Sequence, residues 1–131
     1  MPESPQLTEL QISVLSVLWD RGEATTAEVC EALRPQRELA HTTVATLLSR
    51  LERRGVVEHA KDGRQYVYRA LFSRGEVRSS KVAELTDALF GGDPAALVSH
   101  LVSDADVSPA ELRSIRRLIE EADDRRSGGR G

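Results

Sequence analysis

Between Leu39 and Gly55 the chain reads LAHTTVATLLSRLERRG, and at the helical repeat of about 100° per residue its hydrophobic and polar positions separate cleanly. Val44, Leu47, Leu48 and Leu51 form one stripe, while Thr42, Thr46, Ser49 and Arg53 lie opposite, with Ala45 and Arg50 at the edges. The apolar stripe predicts a packed side. The other side carries short polar groups and a cation, so its backbone can come close to a partner surface. Gly55 is placed to end the helix as a left-handed cap.

The flanking segments predict the remaining elements. Thr8 and Gln11 have capping-box spacing and open a helix to about Asp20, with Leu10, Val14, Leu15, Val17, Leu18 and Trp19 apolar and Gly22 as its stop. Thr25 and Glu28 repeat the box and predict a short helix to Leu33 that buries Val29, Cys30 and Leu33. RPQREL reads as the next loop, since Pro35 is expected to push Arg34 out of helical geometry. After Gly55, VVEHAKDGRQYVYRA reads as two strands around Asp62-Gly63, a strong hairpin signal. A two-residue loop there sets His59 across from Tyr66 and Val57 across from Tyr68, with Lys61 and Arg64 flanking the tip. Three helices followed by a two-stranded ribbon with a cationic tip are the order of a winged helix-turn-helix.

The C-terminal half is helical in pattern. Ser73 with Glu76 starts a helix to about Phe90, Gly91-Gly92 breaks it, and Asp93-Pro94 starts a second to about Val102. Ser108, Pro109 and Glu111 start a third, with Leu112, Ile115, Leu118, Ile119 and Ala122 on one face to about Asp124. The chain is thus expected to be mainly α: a winged-helix domain over 1–71, a helical region over 72–124 and a disordered tail, RRSGGRG, over 125–131. Three helices totalling ~60 residues are marginal alone. Their apolar positions, Val82, Leu85, Leu89, Phe90, Leu97, Val98, Leu101, Leu112, Ile115, Leu118 and Ile119, call for a partner chain.

Composition alters this picture in one respect. The net charge of −3 over 131 residues argues at face value against nucleic acid. Residues 1–33 hold six acids against one Arg, however, whereas residues 34–69 hold eight Arg or Lys against four acids, so the positive charge is localised on the hairpin and the helix before it. A helix that enters a major groove needs short side chains at its centre and Arg to reach phosphates or guanine edges. Thr42, Thr43, Ala45, Thr46, Ser49 and Arg53 meet that need, Arg50 and Arg54 lie off centre and suit phosphates, and Lys61 and Arg64 would touch backbone or a neighbouring minor groove.

Other chemistry finds little support. Each polar position above is also what an ordinary solvated helix face shows. The single Cys30 excludes an intrachain disulfide and a multi-Cys zinc cage, and His41, His59 and His100 lack partners at ligand spacing, so neither metal nor cofactor is expected. No phosphate loop or nucleophile elbow occurs, which argues against an enzyme. The N-terminus has no basic, then apolar, leader pattern and no membrane span is present, so a cytoplasmic protein is expected. Two other readings fit the same elements: a ligand-sensing winged-helix regulator of the multidrug-resistance type, and a winged-helix module that binds protein.

The stretches LTELQISVLSVLW, HTTVATLLSRLERRGVV, DGRQYVYRAL, LFGGDPAALVSHLV and VSPAELRSIRRLIEEA together resemble the BlaI/MecI/CopY penicillinase-repressor family over most of residues 7–122. The resemblance implies a homodimer whose winged helices occupy the two halves of an inverted-repeat operator on double-stranded DNA and whose C-terminal helices intertwine. It further implies repression of β-lactam-response genes and, in one branch, release by a regulatory protease, for which the cleavage region would fall at Ser99, His100 and Leu101. Those residues depart from the family's Asn-Phe junction. The copper-sensing branch uses a C-terminal Cys-x-Cys pair, and this chain has no cysteine after Cys30.

Overall fold

The computed structural model describes residues 6–104 and 106–128. In chain order it contains α1 (Glu9–Arg21), β1 (Ala24–Thr25), α2 (Thr26–Leu33), α3 (His41–Arg53), β2 (Val57–Asp62), β3 (Gln65–Ala70), α4 (Arg74–Phe90), α5 (Pro94–Asp104) and α6 (Pro109–Gly128). The strands form an antiparallel sheet in the order β1-β3-β2. With the three preceding helices this is a winged helix-turn-helix, and the chain as a whole is mainly helical.

Local chemistry sets the helix starts. Thr8 and Gln11, and Thr25 and Glu28, each form a complete reciprocal capping box. Ser73 with Glu76 and Ser108 with Glu111 exchange the same pair of bonds at the starts of α4 and α6. At the end of α3, Gly55 takes a φ of 76°, its N–H donates to the Glu52 carbonyl at 3.0 Å, and the Val56 N–H donates to the Leu51 carbonyl at 2.9 Å. That is the Schellman arrangement, and its two apolar members, Leu51 and Val56, are both fully buried.

The core gathers around α3. Val44, Leu48 and Leu51 are fully buried against Val14, Leu15 and Leu18 of α1 and Val29 of α2, with Leu47, Trp19 and Cys30 half-buried at its margin. Each leucine so buried contributes roughly 1.5–3 kcal/mol. Trp19 donates its indole N–H to the Phe72 carbonyl at 2.8 Å. Such a bond contributes about 0.5–1.5 kcal/mol net.

Several expectations from the sequence need correction. The hairpin pairs Asp62 with Gln65, His59 with Tyr68 and Val57 with Ala70, so its loop is Gly63-Arg64 and not Asp62-Gly63. An Asp-Gly turn of the I′ type needs a positive φ at the aspartate as well, and among the described residues only glycines adopt one. Gly63, at φ 66°, instead occupies the first loop position, as in the II′ type. Strand β1 was not expected; it pairs Ala24 with Tyr68 and Thr25 with Val67. Arg34 keeps helical angles despite Pro35, because the chain leaves α2 through a tight turn in which Gln36 and Arg37 both donate to the Leu33 carbonyl. The helix α6 continues past Asp124 through Gly128, since Arg125 and Arg126 suit the negative end of a helix. The rest of the expected tail, 129–131, lies outside the described residues.

Backbone proximity divides the chain inside α4, after Ala83, into two compact units. The first holds the winged helix and the start of α4, where Val77 is buried. In the second, Phe90 and His100 bring their rings to 5.8 Å, yet among the described residues no apolar side chain beyond Val77 is buried. No helix among the described residues is long and apolar enough to cross a membrane.

The box at α2 carries a pH signature. The Thr25 backbone N–H, and then its hydroxyl, hold the Glu28 carboxyl below its ordinary value of 4.5. A carboxylate with a depressed folded pKa stabilises the fold fully above the unfolded value and loses that contribution as pH falls through the folded one. Urea midpoints taken at about pH 6 and about pH 3 are therefore expected to differ less in Glu28→Gln than in the parent chain. An equal difference in both would remove Glu28 from the acid response.

Candidate nucleic-acid interface

The buried stripe of α3 fixes what the helix presents outward. With Val44, Leu48 and Leu51 inside, Thr42, Thr43, Thr46, Arg50 and Arg53 are exposed, while Ala45 and Ser49 are half-buried at the border. Thr42 to Arg53 spans three turns of one helix, so Thr42, Thr46, Ser49 and Arg53 form a continuous ridge. The Thr46 hydroxyl donates to the Thr42 carbonyl at 2.9 Å, which leaves its lone pairs and its methyl facing outward. None of the exposed positions on this ridge is acidic.

The cations of this first unit fall into two groups. Arg21 pairs with Glu28 at 2.7 Å, Arg34 with Glu31 at 3.1 Å, Arg69 with Glu58, and Arg74 with Asp20 at 2.6 Å. Arg50, Arg53 and Arg64, by contrast, make no ion pair among the described residues. Their charge is left for a partner. The Arg54 guanidinium donates to the Gln6 carbonyl, which ties the N-terminal segment to the end of α3 and directs Arg54 away from the ridge group.

The wing is held to α3 by a contact that sequence reading missed. The Glu52 carboxylate accepts from the His59 backbone N–H at 3.1 Å and meets its Nδ1 at 2.5 Å. His59 in turn stacks on Tyr66 with ring centroids 4.3 Å apart and lies 5.7 Å from Tyr68. Tyr68 is buried beneath, where loss of water pushes its hydroxyl pKa up, with the Glu52 charge adding to the shift. Tyr66 stays exposed and carries Lys61 Nζ 5.8 Å above its ring. Lys61, expected beside the tip, therefore sits on the strand opposite Tyr66, and Arg64 occupies the tip itself. Glu52 and His59 are seven residues apart on different elements, and they meet across the turn at Gly55 that joins α3 to β2.

This surface has the chemistry of a groove reader: a slim polar ridge, uncommitted guanidinium groups at its C-terminal end, and a cationic loop on an anchored ribbon. Among the described residues no three His, Cys, Asp or Glu side chains gather as a metal site would require.

Several known proteins resemble this chain in sequence and fold. Residues 7–121 match the family described as Penicillinase repressor. The transcriptional regulator BlaI of Mycobacterium tuberculosis is 34% identical over 123 residues, covering 92% of this chain and 88% of its own. The penicillinase repressor of Bacillus licheniformis is 24% identical over 126 residues, covering 96% and 98%. Among solved structures, the Bacillus licheniformis BlaI monomer in complex with the blaP half-operator superimposes with a TM-score of 0.50 at 29% identity, over 58% of this chain and 93% of that one.

The wing anchor is directly testable. In Glu52→Ala the His59 amide is expected to exchange with solvent deuterium at least about tenfold faster, while the amides of Val44 and Leu48 keep their protection. Unchanged exchange at His59 would show that the wing is held by its strand pairing alone.

Proposed function

The chain belongs to the penicillinase repressor family, and from that premise we propose a homodimeric, sequence-specific repressor that lays α3 in the major groove of each half of an inverted-repeat operator. The family is one of DNA-binding transcriptional regulators and not of enzymes. The observation that carries the reading is the Thr42, Thr46, Ser49 and Arg53 ridge, held outward by a fully buried stripe and flanked by unpaired cations. In the relative from Bacillus licheniformis the corresponding fold was solved on a half-operator.

Each residue type suits a part of the task. Thr42, Thr43 and Thr46, near the N-terminal end of α3, offer hydroxyls to phosphates or base edges and methyls to thymine. Ala45 and Ser49 keep the helix thin where it meets the bases. Arg53 reaches a guanine edge or a phosphate, Arg50 clamps phosphate, and Lys61 and Arg64 bring the wing onto the backbone. Arg54, already bonded to Gln6, has the smallest share.

The second unit supplies the dimer. Leu118 and Ile119 on α6 are 62% and 55% exposed, and Leu89 on α4 is 69% exposed, in a region with no buried apolar residue of its own among those described. Apolar surface of that kind gains most from a second copy of the same helices. The genes under control are inferred to serve the β-lactam response, from the family alone. Proteolytic release at Ser99, His100 and Leu101 requires α5 to open first, because all three are exposed but lie within that helix.

Two outcomes test the reading. Sedimentation of the full chain is expected to give a dimer, and Leu118→Lys with Ile119→Lys a folded monomer; a double variant that still dimerises would place the interface elsewhere. On duplexes carrying a preferred inverted repeat, Arg53→Ala is expected to cost about 1–3 kcal/mol if it reads a base, with little change on unrelated duplexes. Equal affinity of parent and variant on both kinds of DNA would remove Arg53 from the interface.

A further inference from the structure

One face of the β2-β3 ribbon changes character step by step from the core to the tip. Val57 pairs with Ala70, His59 with Tyr68 and Lys61 with Tyr66, and because side chains alternate along a strand these six share a face. Val57 and Tyr68 are buried and Tyr66 is exposed. His59 stacks on Tyr66 with ring centroids 4.3 Å apart, and Lys61 Nζ lies 5.8 Å from the centre of the Tyr66 ring. The acids of β2 are on the other face, where Glu58 pairs with Arg69 and Asp62 sits opposite Gln65. Lys61 itself makes no ion pair among the described residues. The acid that meets the stack comes from α3: the Glu52 carboxylate accepts from the His59 backbone N–H at 3.1 Å and meets its Nδ1 at 2.5 Å. All of these residues belong to the first unit.

A carboxylate on a helix that reads DNA is unfavourable by itself, since it repels the phosphates that Arg50 and Arg53 attract. The contacts around Glu52 give it a compensating use. We propose that Glu52 is a positioning residue that strengthens DNA binding: through His59 and Tyr66 it holds Lys61 where the ammonium meets a phosphate beside the bases that α3 reads. The inference rests on the reading of α3 as the helix in the groove, and it needs neither the dimer nor the second unit. A lysine side chain gives up rotamer freedom when a contact fixes it, and a loose ribbon adds its own ordering cost. The Tyr66 ring confines Lys61 before DNA arrives, and the two bonds from Glu52 tie that ring stack to α3. Glu52 and Tyr66 touch no DNA in this scheme; they act through Lys61.

The experiment uses the full chain, a duplex carrying one half of its preferred site and a duplex of unrelated sequence, with affinities measured from about 50 to about 200 mM salt. Lys61→Ala is expected to weaken half-site binding about fivefold at the lower salt and to reduce the salt slope by about one, the signature of one lost phosphate contact. Glu52→Ala is expected to do the same, although it removes a negative charge. Glu52→Gln keeps an oxygen acceptor for the His59 N–H without the charge, and is expected to bind at least as tightly as the parent. Adding Lys61→Ala to Glu52→Ala is expected to change affinity by less than about twofold, whereas a Glu52 that only stabilises the fold would leave the slope alone and its loss would multiply with that of Lys61. Protected Val44 and Leu48 amides report that a variant is folded. Tyr66→Leu, at an exposed position, is expected to reproduce the Lys61→Ala slope and serves if Glu52→Ala does not fold. Parental or tighter binding by Glu52→Ala, multiplying losses in the double variant, or an unchanged slope in Lys61→Ala or Tyr66→Leu would each overturn the inference, and Arg53→Ala would still weaken half-site binding. A parent that binds both duplexes alike, with Arg53→Ala equal to it, would overturn the α3 reading and this inference with it.

Discussion

Everything outward-facing in this protein depends on three side chains that face inward. Val44, Leu48 and Leu51 of α3 are fully buried on α1 and α2, and helical geometry then leaves no freedom in where Thr42, Thr46, Ser49 and Arg53 point. A ridge assembled on a loop would have to be ordered by its partner at an entropic cost. Here the hydrophobic core has already imposed that order. The Schellman turn at Gly55 completes the constraint by placing Val56 in the same core and launching β2, so the wing begins at a fixed point relative to the helix.

Charge is arranged on the same principle of commitment. A net charge of −3 describes the whole chain but not the ridge, where Arg50 and Arg53 make no ion pair among the described residues. Elsewhere in the first unit several acids meet counterions: Glu28 meets Arg21, Glu58 meets Arg69, and Asp20 meets Arg74. These pairs are solvated and each adds little stability, at most about 1 kcal/mol. Their larger effect is to leave Arg50, Arg53 and Arg64 outside any ion pair among the described residues, a distribution suited to steering a polyanion toward this face.

Much of this was legible in the sequence because it is local. A capping box is defined over four residues, so Thr8, Thr25, Ser73 and Ser108 marked their helices correctly. The α3 faces follow from a single period, and the family resemblance drew on stretches spread across most of the chain. What escaped was non-local or degenerate. Asp62-Gly63 and Gly63-Arg64 are both acceptable hairpin loops, and the choice falls to the pairing that buries Tyr68 and Val57. Strand β1, only two residues long, exists because β3 offers it an edge. The Glu52 to His59 anchor crosses from α3 to β2, and the Trp19 to Phe72 bond joins residues 53 positions apart.

The central claim is that the α3 ridge of each protomer reads one half of a two-fold symmetric DNA site. It is tested most directly by selecting bound duplexes from a random pool with the full chain at ~150 mM salt, near physiological ionic strength, and sequencing the survivors. The account predicts enrichment of one inverted repeat whose halves lie about one helical turn apart, or a multiple of it. Recovery of no common sequence by correctly folded protein, or of a single asymmetric site bound by one chain, would contradict it.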